Sequence, residues 1–234
     1  MKTTGIIPFA LGIAICASMC ACASNSKKTS QEAAEYDYES TSLGIQRPEP
    51  TEDYLGDLEP VMLDPIYVTV KSFGAMKPKE ITKVHLVPRK NTVELRWRSG
   101  INTVCLILTK QHRDAIFAAA ERFEKEAESG MLKNETPSSK NAYWTGKCSF
   151  WWGAVNETIG CENCDITLNP VIENRKAYLL LRIPSTRATS DPSEFSPKTY
   201  VYFSPAQLEH LQRILSQSAL ESVVAERLEN LYVY

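Results

Sequence analysis

Short runs in which apolar and polar residues alternate constrain the fold of this chain more than any other feature. Every second residue is apolar in 66–71 and again in 93–98, and apolar runs also cover 82–87 and 103–108. A period of two is typical of half-buried strands. The breaks between these runs are short enough for hairpin turns, which favours an antiparallel meander. Beyond Thr109, placed as an N-cap, the apolar period becomes that of a helix, and Gly130 marks its end.

The second half of the chain follows the same order. Strands are predicted over 142–154, 166–171, 176–183 and 198–203. Ser204-Pro205-Ala206-Gln207 then has the form of a capping box with proline at the first helical position. A second such box, from Ser218 to Glu221, predicts a short final helix. We therefore predict an α+β fold, mainly an antiparallel sheet, built from two four-strand-plus-helix units at 61–130 and 140–217 and ending in a short C-terminal helix. In topology alone this resembles the Pur-alpha and Whirly nucleic-acid modules, but the chain has none of their sequence motifs.

The first 24 residues have the features of an export signal. Lys2 precedes an apolar run that extends to Ile15, and small residues and cysteines follow. The apolar run is shorter than the roughly 20 residues that span a bilayer. We therefore expect a cleaved leader, and cysteines at its end are better explained by lipid attachment than by disulfides.

Met19-Cys20-Ala21-Cys22, followed by Ala23-Ser24, resembles a bacterial lipobox with Cys22 as the acylated residue. Met19 stands where leucine is usual, and such relaxed lipoboxes resemble those of spirochaete lipoproteins. The resemblance implies a signal peptide over 1–22 and acyl chains that tether the product to a membrane. Cys20 is the second choice for lipidation, and ordinary cleavage after Ala23 is the alternative.

Residues 23–60 are strongly acidic, with nine acidic residues against three basic ones, a net charge of −6. A segment of such low hydrophobicity and high charge is typical of a disordered spacer. The whole chain carries −2, so residues 61–234 carry +3 and form a mildly basic globular domain. No extreme charge on that domain predicts a nucleic-acid partner.

Four cysteines remain in the predicted domain: Cys105, Cys148, Cys161 and Cys164. An even number in an oxidising compartment favours disulfides, with three connectivities possible. Cys161 and Cys164 form a C-x-x-C motif that follows a strand, whereas redox motifs place the first thiol at a helix N-terminus. A thiol–disulfide redox protein using this pair is kept as an alternative function. We expect no metal site.

Aromatic and basic residues supply the remaining candidates. Alternate residues of a strand face the same side, so one face of this strand carries Trp144, Cys148, Phe150 and Trp152, which we predict to lie in the core. Trp151 faces the other way. The polar face of the first meander gathers basic residues and predicts either a solvated face or a polyanion-binding surface. Its members are Lys71, Lys83, His85, Arg96 and Arg98, with Arg89 and Lys90 at a turn.

No phosphate-binding loop, nucleophile elbow or metalloprotease motif is present in the sequence. We therefore expect no catalysis and no cofactor. The predicted protein is an extracytoplasmic lipoprotein, anchored to a membrane of the bacterial cell envelope with its domain in the periplasm or at the cell surface. Its expected partners are the membrane and a protein or other envelope component rather than nucleic acid.

Overall fold

A computed structural model describes residues 51, 53–72, 75–99, 101–153, 159–189 and 191–231. The leader, the lipobox cysteines and residues 23–50 of the predicted spacer lie outside the described residues. The strands and helices of the described part, in chain order, are β1 (Val61–Ser72), β2 (Ala75–Val87), β3 (Thr92–Ser99), β4 (Asn102–Leu108), α1 (Lys110–Glu128), β5 (Trp144–Gly153), β6 (Ile159–Glu173), β7 (Lys176–Ile183), β8 (Thr199–Phe203), α2 (Pro205–Leu215) and α3 (Gln217–Leu231). The predicted α+β class, antiparallel sheet and C-terminal helix are confirmed. None of the three helices combines the length and apolar composition needed to cross a bilayer.

The eight strands close into one antiparallel barrel. Each strand pairs with the next along the chain, and β8 returns to β1 through the pairs Thr69–Tyr202 and Val70–Val201. Because β4 also pairs with β5, the two halves of the chain share one continuous sheet.

The barrel lumen is filled by side chains. Alternate residues of the strands point inward and are almost wholly buried, among them Leu86, Leu106 and Phe203. A void that these strands leave between Val68, Leu106 and Phe203 measures about 10 Å³. That volume is roughly what one water molecule needs. An eight-stranded barrel is narrow enough for its own side chains to fill it, and this one is a packed core.

Two capping boxes begin the first two helices directly after a strand. Thr109 N donates to Nδ1 of His112 at 3.0 Å, and His112 N donates to Thr109 Oγ1 at 3.4 Å. At α2, Ser204 N donates to Gln207 Oε1 at 2.9 Å, and Gln207 N donates to the Ser204 hydroxyl at 3.4 Å. The predicted N-caps are thus confirmed, and Gly130, with φ of 68°, follows the C-cap of α1.

The final helix starts two residues earlier than the Ser218–Glu221 box predicts. Gln217 is its first residue, and the hydroxyl of Ser216 accepts from the backbone N of Ala219 at 3.4 Å. The capping box predicted at Ser218 is therefore wrong, because Ser216 lies closer to the helix start and already accepts from the first turn.

A buried arginine joins three parts of the molecule. Arg113, in the first turn of α1, is 1% exposed. Its Nη1 donates to the backbone O of Asn91 at 2.9 Å, and its Nη2 donates to Asn91 Oδ1 at 2.7 Å and to Gln217 Oε1 at 3.0 Å. Asn91 lies in the left-handed region, with φ of 46°, in the turn before β3. Burial lowers the pKa of Arg113, but a guanidinium keeps its charge, which these oxygens compensate.

The described end of the predicted spacer lies against the barrel. The backbone N of Thr51 donates to Arg89 O at 3.0 Å, and that of Leu55 donates to Pro88 O at 3.0 Å. Arg89 also forms an ion pair with Asp57. Leu55 and Leu58 pack against the core, so the apolar residues at the end of this acidic segment attach it to the domain.

Candidate binding site

A cleft lies on the outer surface of the barrel, and we call it the outer cleft. Its volume is about 510 Å³, and the 129–143 connection between α1 and β5 lines one side of it. Its floor includes Val171, Leu180 and Tyr202, and its rim carries the polar side chains of Lys71, Glu135, Glu173, Lys198 and Tyr200. Small-molecule sites in proteins commonly have volumes of about 300–1,000 Å³.

The floor of the outer cleft is apolar and buried although it belongs to the outside of the barrel. Val171 is 5% exposed, Leu180 1% and Tyr202 3%. Together they form a small hydrophobic cluster, separate from the lumen, against which Tyr178 and Tyr200 also pack. The rings of Tyr178 and Tyr202 meet edge to face, 5.9 Å apart. An outer sheet face in contact with water is normally polar, so this patch is unusual.

A hydrogen-bond network fixes the wall of the outer cleft. Asn169, on the outer face of β6, is 1% exposed. Its Nδ2 donates to Ser138 O at 2.8 Å and to Asn141 Oδ1 at 3.0 Å, and its Oδ1 accepts from the Thr167 hydroxyl at 2.9 Å. Asn141 in turn donates to Glu135 Oε2 at 3.1 Å. A buried amide satisfied in this way holds a loop in one position.

The charged groups of the outer cleft balance each other. Lys71 Nζ lies 3.0 Å from Glu173 Oε1, and both side chains are about one-third exposed. The hydrogen bond to Glu173 raises the pKa of Lys71, and burial raises the pKa of Tyr202. Glu135 and Lys198 are both exposed. Among the described residues, the lining of the outer cleft therefore offers two ammonium groups and two carboxylates, with a formal charge of zero.

Trp151 and the predicted basic residues lie on one outer face of the sheet. The strand register places Lys83 beside Arg96, Arg96 beside Cys105, and Cys105 beside Trp151. We call these four residues the lateral row. Arg96 is paired with Glu94 through Nη2 and Oε2 at 2.5 Å, while Lys83 and Arg98 are exposed.

Two other members of the predicted basic face, Lys71 and Arg89, pair with carboxylates away from the lateral row. Lys71 belongs to the outer cleft, where it pairs with Glu173, and Arg89 pairs with Asp57.

The indole of Trp151 covers Gly160 on the next strand, so closely that a Cβ at Gly160 would overlap the ring. The lack of a side chain on Gly160 is what lets Trp151 lie flat on the sheet.

Phe150 and Trp152 lie in the core, as predicted, and Cys148 points inward with them. Trp144, at the start of β5, is half-buried and packs against the same core. Its ring meets that of His112 edge to face, 5.8 Å apart.

Three of the four cysteines face the lumen and one faces outward. Cys148, Cys161 and Cys164 are at most 4% exposed and belong to the core, whereas Cys105 lies in the lateral row. All four are free thiols in the structure. The two disulfides that the even number predicted are not formed in the structure, in which Cys105 faces outward and the other three thiols face the lumen.

Within the barrel, Cys148 lies opposite Cys164 on neighbouring strands, and Phe150 lies opposite Cys161. Glu162 and Asn163, which lie between Cys161 and Cys164 on β6, are exposed and form a bulge in the strand. Burial raises the pKa of Cys148 to about 12 and raises that of Cys164 as well. Among the described residues, no group of three or more His, Cys, Asp or Glu side chains is placed to hold a metal ion.

Sequence reasoning missed the outer cleft. A usable signal existed in β8, where Tyr200 and Tyr202 alternate with the inward Val201 and Phe203. An outward face that presents two tyrosines departs from the polar pattern expected of a solvated strand. The alternation of residues along β8 does not predict that the connection before β5 folds over this face.

A family model described as "Uncharacterised Treponema protein" matches residues 24–222 of the chain. No curated protein and no solved structure matches it.

Proposed function

The chain belongs to the uncharacterised Treponema protein family, and from this premise we propose that it is a lipid-anchored, non-catalytic binding protein of the cell envelope. Treponemes are spirochaetes, and the relaxed lipobox around Cys22 resembles those of spirochaete lipoproteins. The domain would then be held in the periplasm or at the cell surface by acyl chains on Cys22, with Cys20 as second choice.

One observation carries the binding role: the barrel has a filled lumen and an open outer cleft. A void of about 10 Å³ can hold no ligand, whereas the outer cleft has about 510 Å³ and a wall held by the Asn169 network. An apolar floor with a few placed polar groups is typical of ligand sites. We therefore propose that the outer cleft binds the partner or envelope component.

Metabolic labelling with radioactive palmitate tests the anchor. We expect label in the full chain, none in Cys22→Ala, and full label in Cys20→Ala. Full label in Cys22→Ala and none in Cys20→Ala would move the anchor to Cys20, and an unlabelled full chain would remove the lipoprotein proposal.

Nuclear magnetic resonance of the purified full chain tests the outer cleft. A panel of small solutes, comprising amino acids, sugars, aromatic acids and short fatty acids, should shift amide signals of β7 and β8. The shifts should disappear in Tyr200→Ala and persist in Tyr67→Ala, a tyrosine 46% exposed on β1 that does not line the outer cleft. Shifts that are absent, or that survive in Tyr200→Ala, would contradict a binding role for this cleft.

A polyanion-binding surface on the lateral row is a second candidate, because the register joins Lys83, Arg96 and Trp151 with Arg98 nearby. Cationic groups beside a flat aromatic ring suit phosphate-bearing chains. Binding to a single-stranded oligonucleotide or to heparin should weaken steeply with salt. A signal that stays constant between low and high salt would remove this candidate.

The thiol–disulfide alternative has less support. Redox cysteines need accessible thiolates, and burial raises the pKa of Cys148 and Cys164 and keeps them protonated at neutral pH. Turnover in an insulin-reduction assay, lost in Cys161→Ser, would nevertheless promote it above the binding role.

We also propose that the barrel derives from two four-strand-plus-helix units, 61–130 and 140–217. Four strands precede α1 and four precede α2, and each helix starts with a capping box directly after its strand. The β4–β5 and β8–β1 pairings are then equivalent junctions between the two units. Related family sequences aligned half against half provide the test, and an absence of matching positions beyond the caps would refute it.

A further inference from the structure

We infer that the ligand of the outer cleft is an uncharged or zwitterionic oligosaccharide. This inference rests on the proposed binding role of the outer cleft and adds the chemical class of the ligand. It follows from the composition of the floor, the charge of the rim and the closure of the sheet.

The floor suits the apolar face of a sugar ring. Tyr200 and Tyr202 lie side by side on β8, with Leu180 beside Tyr202 on β7. Tyr202 is held edge to face by Tyr178, and Tyr200 remains half-buried at the edge of this cluster. Tyr200 is thus the ring that can offer a flat face to C–H groups and a phenol hydroxyl at its margin, and Tyr202, 3% exposed, supports it as part of the buried cluster.

The rim suits hydroxyl groups. Glu173 and Glu135 supply acceptors, Lys71 and Lys198 supply donors, and Asn134 supplies both. A fatty acid would offer these groups a single carboxylate in place of water, and the rest of its chain could not hydrogen-bond to them. A saccharide can offer a hydroxyl to each of them.

The charges argue against a polyanion in this cleft. The two carboxylates of Glu135 and Glu173 cancel the two ammonium groups, and Lys71 is already bonded to Glu173 at 3.0 Å. A chain of phosphates or carboxylates would meet like charge at Glu135 and Glu173. Neutral and zwitterionic ligands meet no such repulsion.

The closed sheet argues against an extended peptide. In the described part of the chain every strand of the barrel pairs with a neighbour on both sides. The pairs Thr69–Tyr202 and Val70–Val201 occupy the strand edge beside Tyr202, so a peptide cannot add there as a strand. A ligand must bind through side chains, as sugars do.

Calorimetric titration of the full chain with four probes tests the inference. The saccharides are maltotriose and the trimer of N-acetylglucosamine; the counter-probes are octanoate and triglutamate. We expect at least one saccharide to bind, with an affinity that changes less than about twofold on raising the salt to about 0.5 M, because no net charge is paired. We expect neither counter-probe to bind.

Variants place the binding at the outer cleft. Tyr200→Ala should weaken saccharide binding by at least about tenfold, equivalent to about 1.4 kcal/mol. Tyr67→Ala should leave it unchanged. Glu173→Gln, which removes a rim charge without opening the floor, provides the same test if Tyr200→Ala does not fold, and it should also weaken binding.

The outcomes separate this inference from the proposed function. If the solute panel or a counter-probe binds at Tyr200 and neither saccharide does, the saccharide inference is overturned and the binding role stands. If no probe and no solute binds, both are overturned. Saccharide binding that survives in both cleft variants would overturn the assignment to the outer cleft.

Discussion

Arg113 donates from Nη2 to Oδ1 of Asn91 at 2.7 Å, in a place where neither residue is more than 1% exposed. The same arginine reaches Gln217, so one side chain connects α1, the turn before β3 and the start of α3. Buried charges need such complete hydrogen bonding, because an unpaired one is costly. This connection fixes where the helices sit relative to the barrel.

We expect Arg113→Met to lower the free energy of unfolding by about 3 kcal/mol, because both oxygens of Asn91 lose their guanidinium donor and the amide oxygen of Gln217 keeps only Asn91 Nδ2. Urea denaturation gives the value. Arg213→Met, at an exposed position in the last turn of α2, is the control and should change stability by less than about 0.5 kcal/mol. Equal losses in the two variants would show that Arg113 does not make this connection.

Substitution of Ser204 and Ser218 tests which of these two serines caps a helix. Ser204→Ala should cost about 1 kcal/mol, because the Gln207 N–H loses its side-chain acceptor. Ser218→Ala should cost only a few tenths of a kcal/mol, because Ser216 caps α3. Thermal or urea unfolding of both variants checks this, and a larger loss in Ser218→Ala would restore the predicted capping box.

Gly160 and Trp151 should show strong coupling. Gly160→Ala places a Cβ inside the indole ring of Trp151 and should cost about 1–3 kcal/mol, as overpacking does. In a Trp151→Leu background the same substitution should cost much less. A double-mutant cycle in urea measures the coupling energy. Additive effects would mean that Trp151 does not rest on Gly160 in solution.

Oxidation should produce one internal disulfide and never two. Cys148, Cys161 and Cys164 face the lumen, and Cys105 faces outward. After treatment with glutathione disulfide, unfolding and alkylation, mass spectrometry should find Cys105 either alkylated or carrying glutathione in every intramolecularly bridged chain. A chain with no alkylated thiol among these four, and no glutathione adduct, would contradict the placement of Cys105.

Stability should fall with rising pH in a way that depends on Cys148. Burial raises the pKa of this thiol from 9.0 to about 12. Between those values the folded chain keeps a proton that the unfolded chain has lost, so unfolding becomes easier as pH rises. From pH 8 to pH 10 wild type should lose about 1 kcal/mol more than Cys148→Ala does.

The control for this pH dependence is Ser149→Ala, at a neighbouring position of β5 that does not titrate. It should lose stability with pH as wild type does. If Cys148→Ala loses as much as wild type over the same interval, the Cys148 thiol titrates alike in the folded and unfolded chain.

Local features were readable from the sequence, and features that depend on distant pairing were not. The steps from strand to cap to helix at Thr109 and Ser204 rest on neighbouring residues, and both were predicted. The return of β8 to β1 joins Thr69 to Tyr202, and no local pattern specifies which strands meet across that distance.

The candidate sites likewise include parts that local sequence predicts and parts that depend on distant strand pairing. Parity alone assigned Phe150 and Trp152 to the core and Trp151 to the outside. The cross-strand order from Lys83 to Trp151 required the register of four strands, and the outer cleft required a connection folded over two of them. The even count of domain cysteines misled because it carries no information on which side of a strand each thiol lies.

Closure of the barrel has a consequence for neighbouring copies of this molecule. A sheet with an exposed edge offers a template to which an identical strand can add, and polymerisation follows when molecules are concentrated side by side. Here the last strand returns to the first. Where β8 covers β1, an identical strand of a neighbouring copy therefore cannot add to the sheet.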